Sequence, residues 1–300
     1  MSKKLKVNFV DFWPNLVKDD NYFYNLLKLE YDVEIDEENP DVLFFSVDYL
    51  GTRERFNYKN CLKVFYTGEN TPPNFNECDI AFTFERSEDD RNYRLPLWAL
   101  HLNWFERPYI EERDQAYLHP ISDMTNKPDP NVILQNKDHF CSFVATQPKG
   151  ERVSFVPNLI NSYKDVVCAG GLHNNVRGVI RGRGDQIHKI NFLQAFKFNI
   201  SFENCSNDGY ATEKIIHSMF ANCLPIYWGD PNIGLDFNKD SFLDLCDFES
   251  QDSLIERIRE IDENEDLYKE IISQPWFKNN QIPDFVQPRN VLDWIKKWIQ

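Results

Sequence analysis

The chain has 300 residues, 42% of them hydrophobic and 15% aromatic, which is enough for a sizeable core and for two domains. Its 48 acidic side chains outnumber 33 basic ones, so its formal net charge is -15. Because nucleic-acid backbones are bound by clustered Lys and Arg, this balance excludes nucleic acid as the main partner. A small phosphorylated ligand needs only a few well-placed cations and is compatible with it.

The apolar runs and the cysteines constrain the cellular location. The longest apolar runs, such as residues 41–47, are strand-sized and fall short of the roughly 20 residues that a transmembrane helix needs. The seven cysteines are scattered and include no CxxC pair, which is typical of reduced core thiols. We therefore predict a cytoplasmic protein without a signal peptide or integral membrane segment. The amphipathic end at 294–299 either packs on the domains or makes peripheral contact with the inner membrane.

The first half of the chain alternates short β-rich runs with a helical pattern. This alternation is typical of α/β units with a mostly parallel sheet. We predict one helix at Tyr22–Leu29 and strands at Leu5–Phe12, Val42–Val47, Leu62–Tyr66 and Ile80–Phe84.

The second half repeats the alternation after a polar, proline-broken segment at 119–138, which indicates a domain boundary. The predicted strands are Cys141–Ala145, Val166–Ala169, Phe196–Phe202 and Leu224–Trp228. The predicted helices are Arg152–Tyr163 and Glu213–Ala221. From Asp252 onward the chain is predicted to be helical, and it ends in Val291–Ile299. We therefore expect an N-terminal α/β domain at 1–130 and a second one at 131–275. We expect a helical segment at 276–300 to pack back on the first domain.

Residues 203–214 form the densest polar segment, a strand end followed by a Gly-containing loop and a helix start. Lys214 in the first helical turn is unfavourable against the helix dipole, which points to an anion such as phosphate at this helix N-terminus. Glu203 and Glu213 could accept hydrogen bonds from sugar hydroxyls, and Tyr210 could pack on a ring. The alternative is that Glu213 is an ordinary first-turn carboxylate and that Lys214 is a solvated side chain.

Metal-binding signatures are missing from the sequence. No two aspartates are separated by a single residue, and the six histidines never fall at ligand spacing. A metal-dependent mechanism therefore has little support from the sequence.

Several ordered blocks resemble one enzyme family. The sequences FEN at 202–204, YATEK at 210–214 and LPIYWG at 224–229 look like the donor-binding signature of the alpha-1,3/4-fucosyltransferases, glycosyltransferase family 10. Further blocks resemble the bacterial type of this family in order and spacing: FYTGEN at 65–70, PNF at 73–75, RNYRLPL at 91–97 and SFVATQP at 142–148.

The resemblance implies a GT-B fold, with two Rossmann-like α/β domains facing an inter-domain cleft. It implies inverting transfer of L-fucose from GDP-fucose to a GlcNAc hydroxyl of an oligosaccharide, as in the biosynthesis of Lewis antigens. An alpha-1,3 linkage is favoured over alpha-1,4, and no metal or other cofactor is required. The alternatives are a GT-B enzyme that uses another nucleotide sugar and a non-catalytic glycan-binding homologue.

The resemblance also assigns roles to individual residues. Glu69 would be the general base, and a carboxylate suits the removal of a hydroxyl proton during attack. The donor-binding residues would be Arg152, Glu203, Asn204, Tyr210, Glu213 and Lys214, with Arg152 and Lys214 neutralising the diphosphate. From the residues alone, a turn carboxylate after a strand is the favoured interpretation of Glu69, since Gly68 and Asn70 are turn formers.

Two further groups carry weaker signals. Arg177, Arg181 and Arg183 lie in the most basic stretch of the chain, which is either a loop over the nucleotide or a solvated loop. On the acceptor side, Trp98, His101 and Trp104 are candidates, since tryptophan rings can stack on sugars. The alternative for both tryptophans is a place in the core.

Overall fold

The computed structural model describes residues 3–14, 16–107, 118–180 and 186–299, and it divides into two compact units. Unit 1 comprises Met1–Leu100 and Pro283–Gln300, and unit 2 comprises His101–Ile282. Each unit is built around one sheet, and every strand pair recorded in either sheet is parallel.

The sheet of unit 1 has six strands in the order β2-β1-β3-β4-β5-β6. They are β1 Lys4–Val10, β2 Asp32–Ile35, β3 Val42–Phe45, β4 Leu62–Tyr66, β5 Ile80–Thr83 and β6 Asn92–Arg94. All four side chains of β3 and of β5 are buried, because strands of a parallel sheet are covered on both faces. This explains why these strands are continuous apolar runs in the sequence.

Unit 1 also contains helices α1 Tyr22–Leu27 and α2 Leu97–Leu100. Helix α1 starts after Asn21, whose side-chain oxygen accepts a 3.1 Å hydrogen bond from the Tyr24 backbone N–H, a typical N-cap. Its Phe23 ring lies 4.8 Å from the ring of Phe44 and 5.1 Å from that of Tyr66. These aromatic contacts fix α1 against the sheet.

The sheet of unit 2 has five strands in the order β11-β10-β9-β7-β8. They are β7 His139–Phe143, β8 Val166–Cys168, β9 Phe196–Phe202, β10 Leu224–Trp228 and β11 Leu243–Asp244. Its helices are α3 Ile121–Thr125, α4 Pro130–Leu134, α5 Arg152–Ser162, α6 Gln186–Leu193, α7 Glu213–Phe220, α8 Gln251–Glu263 and α9 Glu265–Ser273.

The boundary between the units differs from the predicted one. The polar segment at 119–138 is not a linker, because it forms α3 and α4. Met124 of α3 and Ile133 of α4 are buried, and the two helices contact α7 and α9. Residues 101–130 therefore belong to unit 2 and not to the N-terminal domain.

The C-terminal segment of unit 1 begins at Pro283 and not at 276, because Trp276 and Phe277 are buried within unit 2. It contains helix α10 Pro288–Ile295. The Trp294 ring lies 5.1 Å from the ring of Phe82, and Ile295 is fully buried. Within the predicted amphipathic end, Trp294 and Ile295 thus pack on unit 1, while Trp298 and Ile299 are half-buried. In the described ranges, no helix is long and apolar enough to span a bilayer.

Asp262, near the end of α8, ties three parts of unit 2 together. Its side chain is 4% exposed and accepts hydrogen bonds from Lys164 (2.5 Å), Lys197 (2.7 Å) and the Tyr163 hydroxyl (2.8 Å). Burial raises the pKa of this carboxyl, but the hydrogen bonds from Lys164 and Lys197 outweigh burial and hold the pKa below its usual value. The ionised carboxylate therefore stabilises the fold.

We expect Asp262→Asn to destabilise the protein by about 2 kcal/mol, because it leaves two lysines facing a neutral amide. Urea unfolding at pH 7 measures this loss. A group with a lowered folded pKa stabilises above its unfolded pKa, so the difference between wild type and variant should shrink below about pH 4.

Glu256→Gln is the matched control, because Glu256 pairs with Arg259 on the exposed face of the same helix. Exposed pairs contribute little, so the urea midpoint should not move. An equally small effect of Asp262→Asn would contradict the role given to Asp262.

Candidate active site

The buried carboxylate of Glu203 organises a polar cluster in unit 2, directly after β9. Glu203 is 0% exposed. One carboxylate oxygen accepts the backbone N–H of Thr212 at 2.7 Å, and the other accepts the ammonium of Lys214 at 2.8 Å. The Thr212 hydroxyl lies 2.8 Å from both oxygens. The carboxylate is thus fully engaged and joins the end of β9 to the start of α7.

Lys214 is held as a cation although it lies in the first turn of α7. Burial lowers its pKa, but the charges of Glu203 and Glu213 outweigh burial and raise the pKa above its usual value. Its ammonium donates to Glu203 and to the Thr212 hydroxyl, the latter at 2.7 Å. An ammonium has three donors, so one remains for which the described residues offer no further hydrogen bond.

Glu213, the first residue of α7, is an ionised carboxylate at the same place. Burial raises its pKa, but the charges of Lys214 and Lys189 outweigh burial and lower the pKa to about 2. One of its oxygens lies 3.9 Å from the Lys214 ammonium, and 23% of the side chain is exposed. Glu213 can therefore accept hydrogen bonds from a ligand.

Arg152 supplies a second cation as the first residue of α5. Its side chain is 1% exposed, and one terminal nitrogen donates a 2.6 Å hydrogen bond to the side-chain oxygen of Asn204. Its Nε atom has no hydrogen-bond partner among the described residues. Burial lowers the pKa of Arg152 from its usual value. A buried guanidinium with an unused donor is suited to an anionic ligand.

Two glycines permit close packing around this cluster. A Cβ atom on Gly229 would lie 2.5 Å from Cγ of Glu203 and 2.6 Å from the Tyr227 hydroxyl. Gly150, before α5, has φ +64, and a Cβ there would lie 2.4 Å from the Trp228 ring. Larger residues at either position would displace the cluster.

The loop between β9 and α7 is also fixed by hydrogen bonds. Asp230 accepts the backbone N–H of Gly209 at 2.9 Å, and its own N–H donates to the Tyr227 hydroxyl at 3.0 Å. Tyr210, next in the loop, is 2% exposed. The predicted donor residues Arg152, Glu203, Asn204, Glu213 and Lys214 thus form one connected group, and Tyr210 is buried in the loop of that group.

A chain of buried polar side chains ties α7 to the sheet beneath it. The hydroxyl of Ser142 on β7 donates to the Asn199 side chain at 2.9 Å. Asn199 donates to Ser201 at 3.0 Å and to Ser218 of α7 at 2.7 Å. These contacts link β7, β9 and α7, so the helix that carries Glu213 and Lys214 cannot shift independently of the sheet.

Glu69 lies in unit 1, in the turn that follows β4. Its backbone N–H donates to the Thr67 hydroxyl at 3.0 Å, and its carbonyl accepts the backbone N–H of Thr71 at 2.8 Å. A Cβ on Gly68 would lie 2.9 Å from the Leu97 side chain, so this turn packs tightly. The side chain of Glu69 is half-buried, and its role as a base stays a prediction.

The three acceptor-side candidates differ in burial. Trp98 is 0% exposed and has no ring face open to a sugar, so we correct its assignment to the core of unit 1. His101 is buried in unit 2, where its ring lies 5.5 Å from that of His217. Trp104 is half-buried in unit 2 and keeps its candidate role.

The basic stretch is described only in part. Arg177 is exposed, while Arg181 and Arg183 lie outside the described residues. In the ranges that the structure describes, no group of three His, Cys, Asp or Glu side chains could hold a metal ion. The role of the stretch and the independence from metal both stay predictions.

Sequence reasoning missed two residues of this cluster, Thr212 and Lys189. Thr212 lies inside the YATEK block, but only the fold shows that its hydroxyl bridges Glu203 and Lys214. Lys189 of α6 is 6% exposed, and its charge interacts with that of Glu213. No pattern in the sequence marks Lys189, since α6 was not predicted.

We expect Thr212→Val to lower stability by about 1–3 kcal/mol, because it removes a hydroxyl shared by a buried carboxylate and a buried ammonium. Thermal unfolding compares it with wild type. Thr212→Ser keeps the hydroxyl and should retain most of the stability. Equal melting temperatures for the Val and Ser variants would contradict this role of the hydroxyl.

Comparison with known proteins identifies the family. The family model described as the alpha-(1,3)-fucosyltransferase FucT N-terminal domain matches residues 7–101. The model of the glycosyltransferase family 10 (fucosyltransferase) C-terminal region matches residues 134–294. Together these matches cover most of both units.

Individual relatives agree with the family models. An alpha-(1,3)-fucosyltransferase of Helicobacter pylori is 30% identical over 290 residues, covering 89% of this chain and 59% of its own length. Crystal structures of an alpha1,3-fucosyltransferase with GDP and with GDP-fucose each superpose with TM-score 0.73 at 26% identity. They cover 99% and 100% of this chain and 91% and 92% of the solved chains. These matches confirm the predicted GT-B fold class, and the chain belongs to glycosyltransferase family 10, the fucosyltransferases.

Proposed function

We propose that this chain transfers L-fucose from GDP-fucose to a hydroxyl of a GlcNAc residue in a glycan, with inversion at the fucose C1. In this reaction the acceptor oxygen forms a bond to C1 and the bond from C1 to the diphosphate oxygen breaks. The acceptor proton goes to a base, and the bonding electron pair leaves with GDP. The chain spans 59% of the length of the H. pylori relative, so the activity is proposed for the two units described above.

One observation carries the proposal: Arg152, which is buried, and Lys214, whose side chain is 18% exposed, are cations that keep unused donors in one cluster. GDP leaves with growing negative charge, and preorganised cations in a site with little water stabilise such charge strongly. Related crystal structures are named as complexes with GDP and with GDP-fucose, which supports this donor.

We propose that the reaction needs no metal ion, because these side chains can supply the charge that a divalent cation would. Arg152 offers a planar fork of donors, and Lys214 offers a point charge held by Glu203. Glu213 is ionised and partly exposed, so it is suited to accept hydrogen bonds from ribose or fucose hydroxyls. Glu203 acts by fixing Lys214, since its own oxygens are already engaged.

For the acceptor, we propose an alpha-1,3 linkage to GlcNAc. The family model at residues 7–101 and the H. pylori relative are both named alpha-(1,3)-fucosyltransferases, which supports this linkage over alpha-1,4. Glu69 of unit 1 would take the proton of the attacking hydroxyl. Its backbone N–H donates to the Thr67 hydroxyl, which fixes the turn that carries this carboxylate, and proton transfer requires a positioned base.

The donor is tested by incubating the protein with a GlcNAc-containing oligosaccharide and a panel of nucleotide sugars. GDP-fucose should be consumed and should raise the melting temperature, whereas UDP-sugars should do neither. Linkage analysis of the product distinguishes alpha-1,3 from alpha-1,4. Turnover of a UDP-sugar instead would indicate a different donor, and GDP-fucose binding without transfer or hydrolysis would indicate a non-catalytic protein.

We expect Glu69→Gln to lower kcat by at least about 100-fold, because the amide cannot accept the proton. GDP affinity, measured by calorimetry, should be unchanged. Glu88→Gln is the control, since Glu88 is an exposed carboxylate of the same unit and its loss should leave kcat unaltered. A Glu69→Gln variant with near-normal kcat would exclude Glu69 as the base.

A further inference from the structure

Lys189 on α6 is a buried ammonium that the proposed mechanism does not use. It is 6% exposed. Within the described parts of the chain, its nitrogen has no hydrogen bond, and its neighbours act on it only through burial and through charge at a distance. The strongest of these charges are those of Glu213 and Lys214, followed by Glu203 and Arg152. Helix α6 packs against α7, the helix that carries Glu213 and Lys214, so Lys189 lies beside the polar cluster without a hydrogen bond to it.

An unpaired buried ammonium is costly, because desolvation penalises its charged form. Burial lowers the pKa of Lys189 to about 8, with the charge of Glu213 opposing the change. At pH 7 the group therefore still carries its proton. An anion that binds beside such a cation offsets this desolvation cost, so the binding of an anion is favoured here.

The charges around Lys189 favour the binding of an anion, because the carboxylates of the cluster do not pair with all of its cations. Three cations, Arg152, Lys189 and Lys214, face the two carboxylates Glu203 and Glu213. Both oxygens of Glu203 are already engaged. The cluster thus has an excess of positive charge, and its carboxylates do not satisfy all of its donors.

The remaining groups around Lys189 are neutral and polar. Burial lowers the pKa of His101 and of His217, so neither imidazole adds charge at pH 7. In the described chain, both ring nitrogens of His217 lack hydrogen-bond partners, whereas His101 and Gln186 interact with each other. Such unused polar atoms indicate a place for polar ligand atoms or ordered water and not for apolar packing.

We propose that Lys189 is a third cation of the donor site and binds the diphosphate of GDP or GDP-fucose together with Arg152 and Lys214. This inference rests on the proposed function. The diphosphate gains negative charge when its bond to the fucose C1 breaks. A third cation therefore stabilises the leaving group more than the intact donor, which is the kind of binding that accelerates a reaction.

The test compares GDP with guanosine in calorimetric titrations, because the two share a base and a sugar and differ in the diphosphate. Lys189→Met should weaken GDP binding about tenfold and leave guanosine binding unchanged. Guanosine thereby controls for the integrity of the site. Lys137→Met is the control. Lys137, just before β7 in unit 2, is half-buried and donates to the carbonyls of Gln194 and Ala221, so its loss should leave GDP affinity unchanged.

A pH series gives a readout that a purely structural role would not produce. A pKa near 8 in the free protein, with a neutral form that binds about tenfold more weakly, means that wild-type affinity for GDP should fall about threefold between pH 7 and pH 8.5. GDP keeps its charge in this range because the second phosphate pKa is about 6. The fall should vanish in Lys189→Met, and also in Lys189→Arg, which stays charged throughout.

The outcomes separate the two proposals. Wild-type protein that fails to bind GDP would overturn the proposed function, and this inference with it. Wild-type protein that binds GDP, with Lys189→Met binding it equally well, would overturn the inference alone. Parallel loss of GDP and guanosine binding in Lys189→Met would show a structural role and would also overturn it. If Lys189→Met does not fold, Lys189→Arg gives the test instead. A pH dependence of GDP affinity that persists in Lys189→Arg would overturn the inference.

Discussion

The buried carboxylate of Glu203 is the constraint on which the rest of the unit 2 site depends. A charge with no exposure must be fully paired, and Glu203 is paired by the backbone and hydroxyl of Thr212 and by Lys214. These partners belong to the start of α7, so burial of one carboxylate fixes a strand end to a helix start. Gly229 is required for the same reason, because a side chain there would collide with Glu203.

This constraint explains how Lys214 is retained in a position that the helix dipole disfavours. Its ammonium is turned toward Glu203 and held there, which compensates for the unfavourable dipole. The polar chain from Ser142 through Asn199 to Ser218 then prevents α7 from shifting relative to the sheet. A cation fixed from two sides needs little reorganisation when charge develops on a ligand, and such preorganisation is the main source of electrostatic catalysis.

Much of this arrangement could be predicted from the sequence, and the exceptions have physical causes. Three predicted strands, Leu62–Tyr66, Phe196–Phe202 and Leu224–Trp228, agree with the structure residue by residue, because each is a short run rich in aromatic and aliphatic residues. The segment 119–138 was misjudged, since its prolines start or precede short helices whose few apolar residues give no clear period. Within the site, motif blocks identified the carboxylates and Lys214. The bridging role of Thr212 and the position of Lys189 depend on tertiary contacts, which no local sequence pattern encodes.

The net charge of -15 and the cationic cluster act over different distances. At physiological salt, interactions between exposed charges are screened beyond about 8 Å, so the acidic surface only weakly opposes an approaching diphosphate. Inside the cluster, screening is slight, and Arg152, Lys189 and Lys214 outnumber the carboxylates that face them. If the proposed roles hold, the electrostatic part of the affinity for a diphosphate comes from these few cations and not from long-range attraction. An acidic protein can bind an anion selectively in this way, because the cations that it buries are held where solvent and salt cannot replace the ligand.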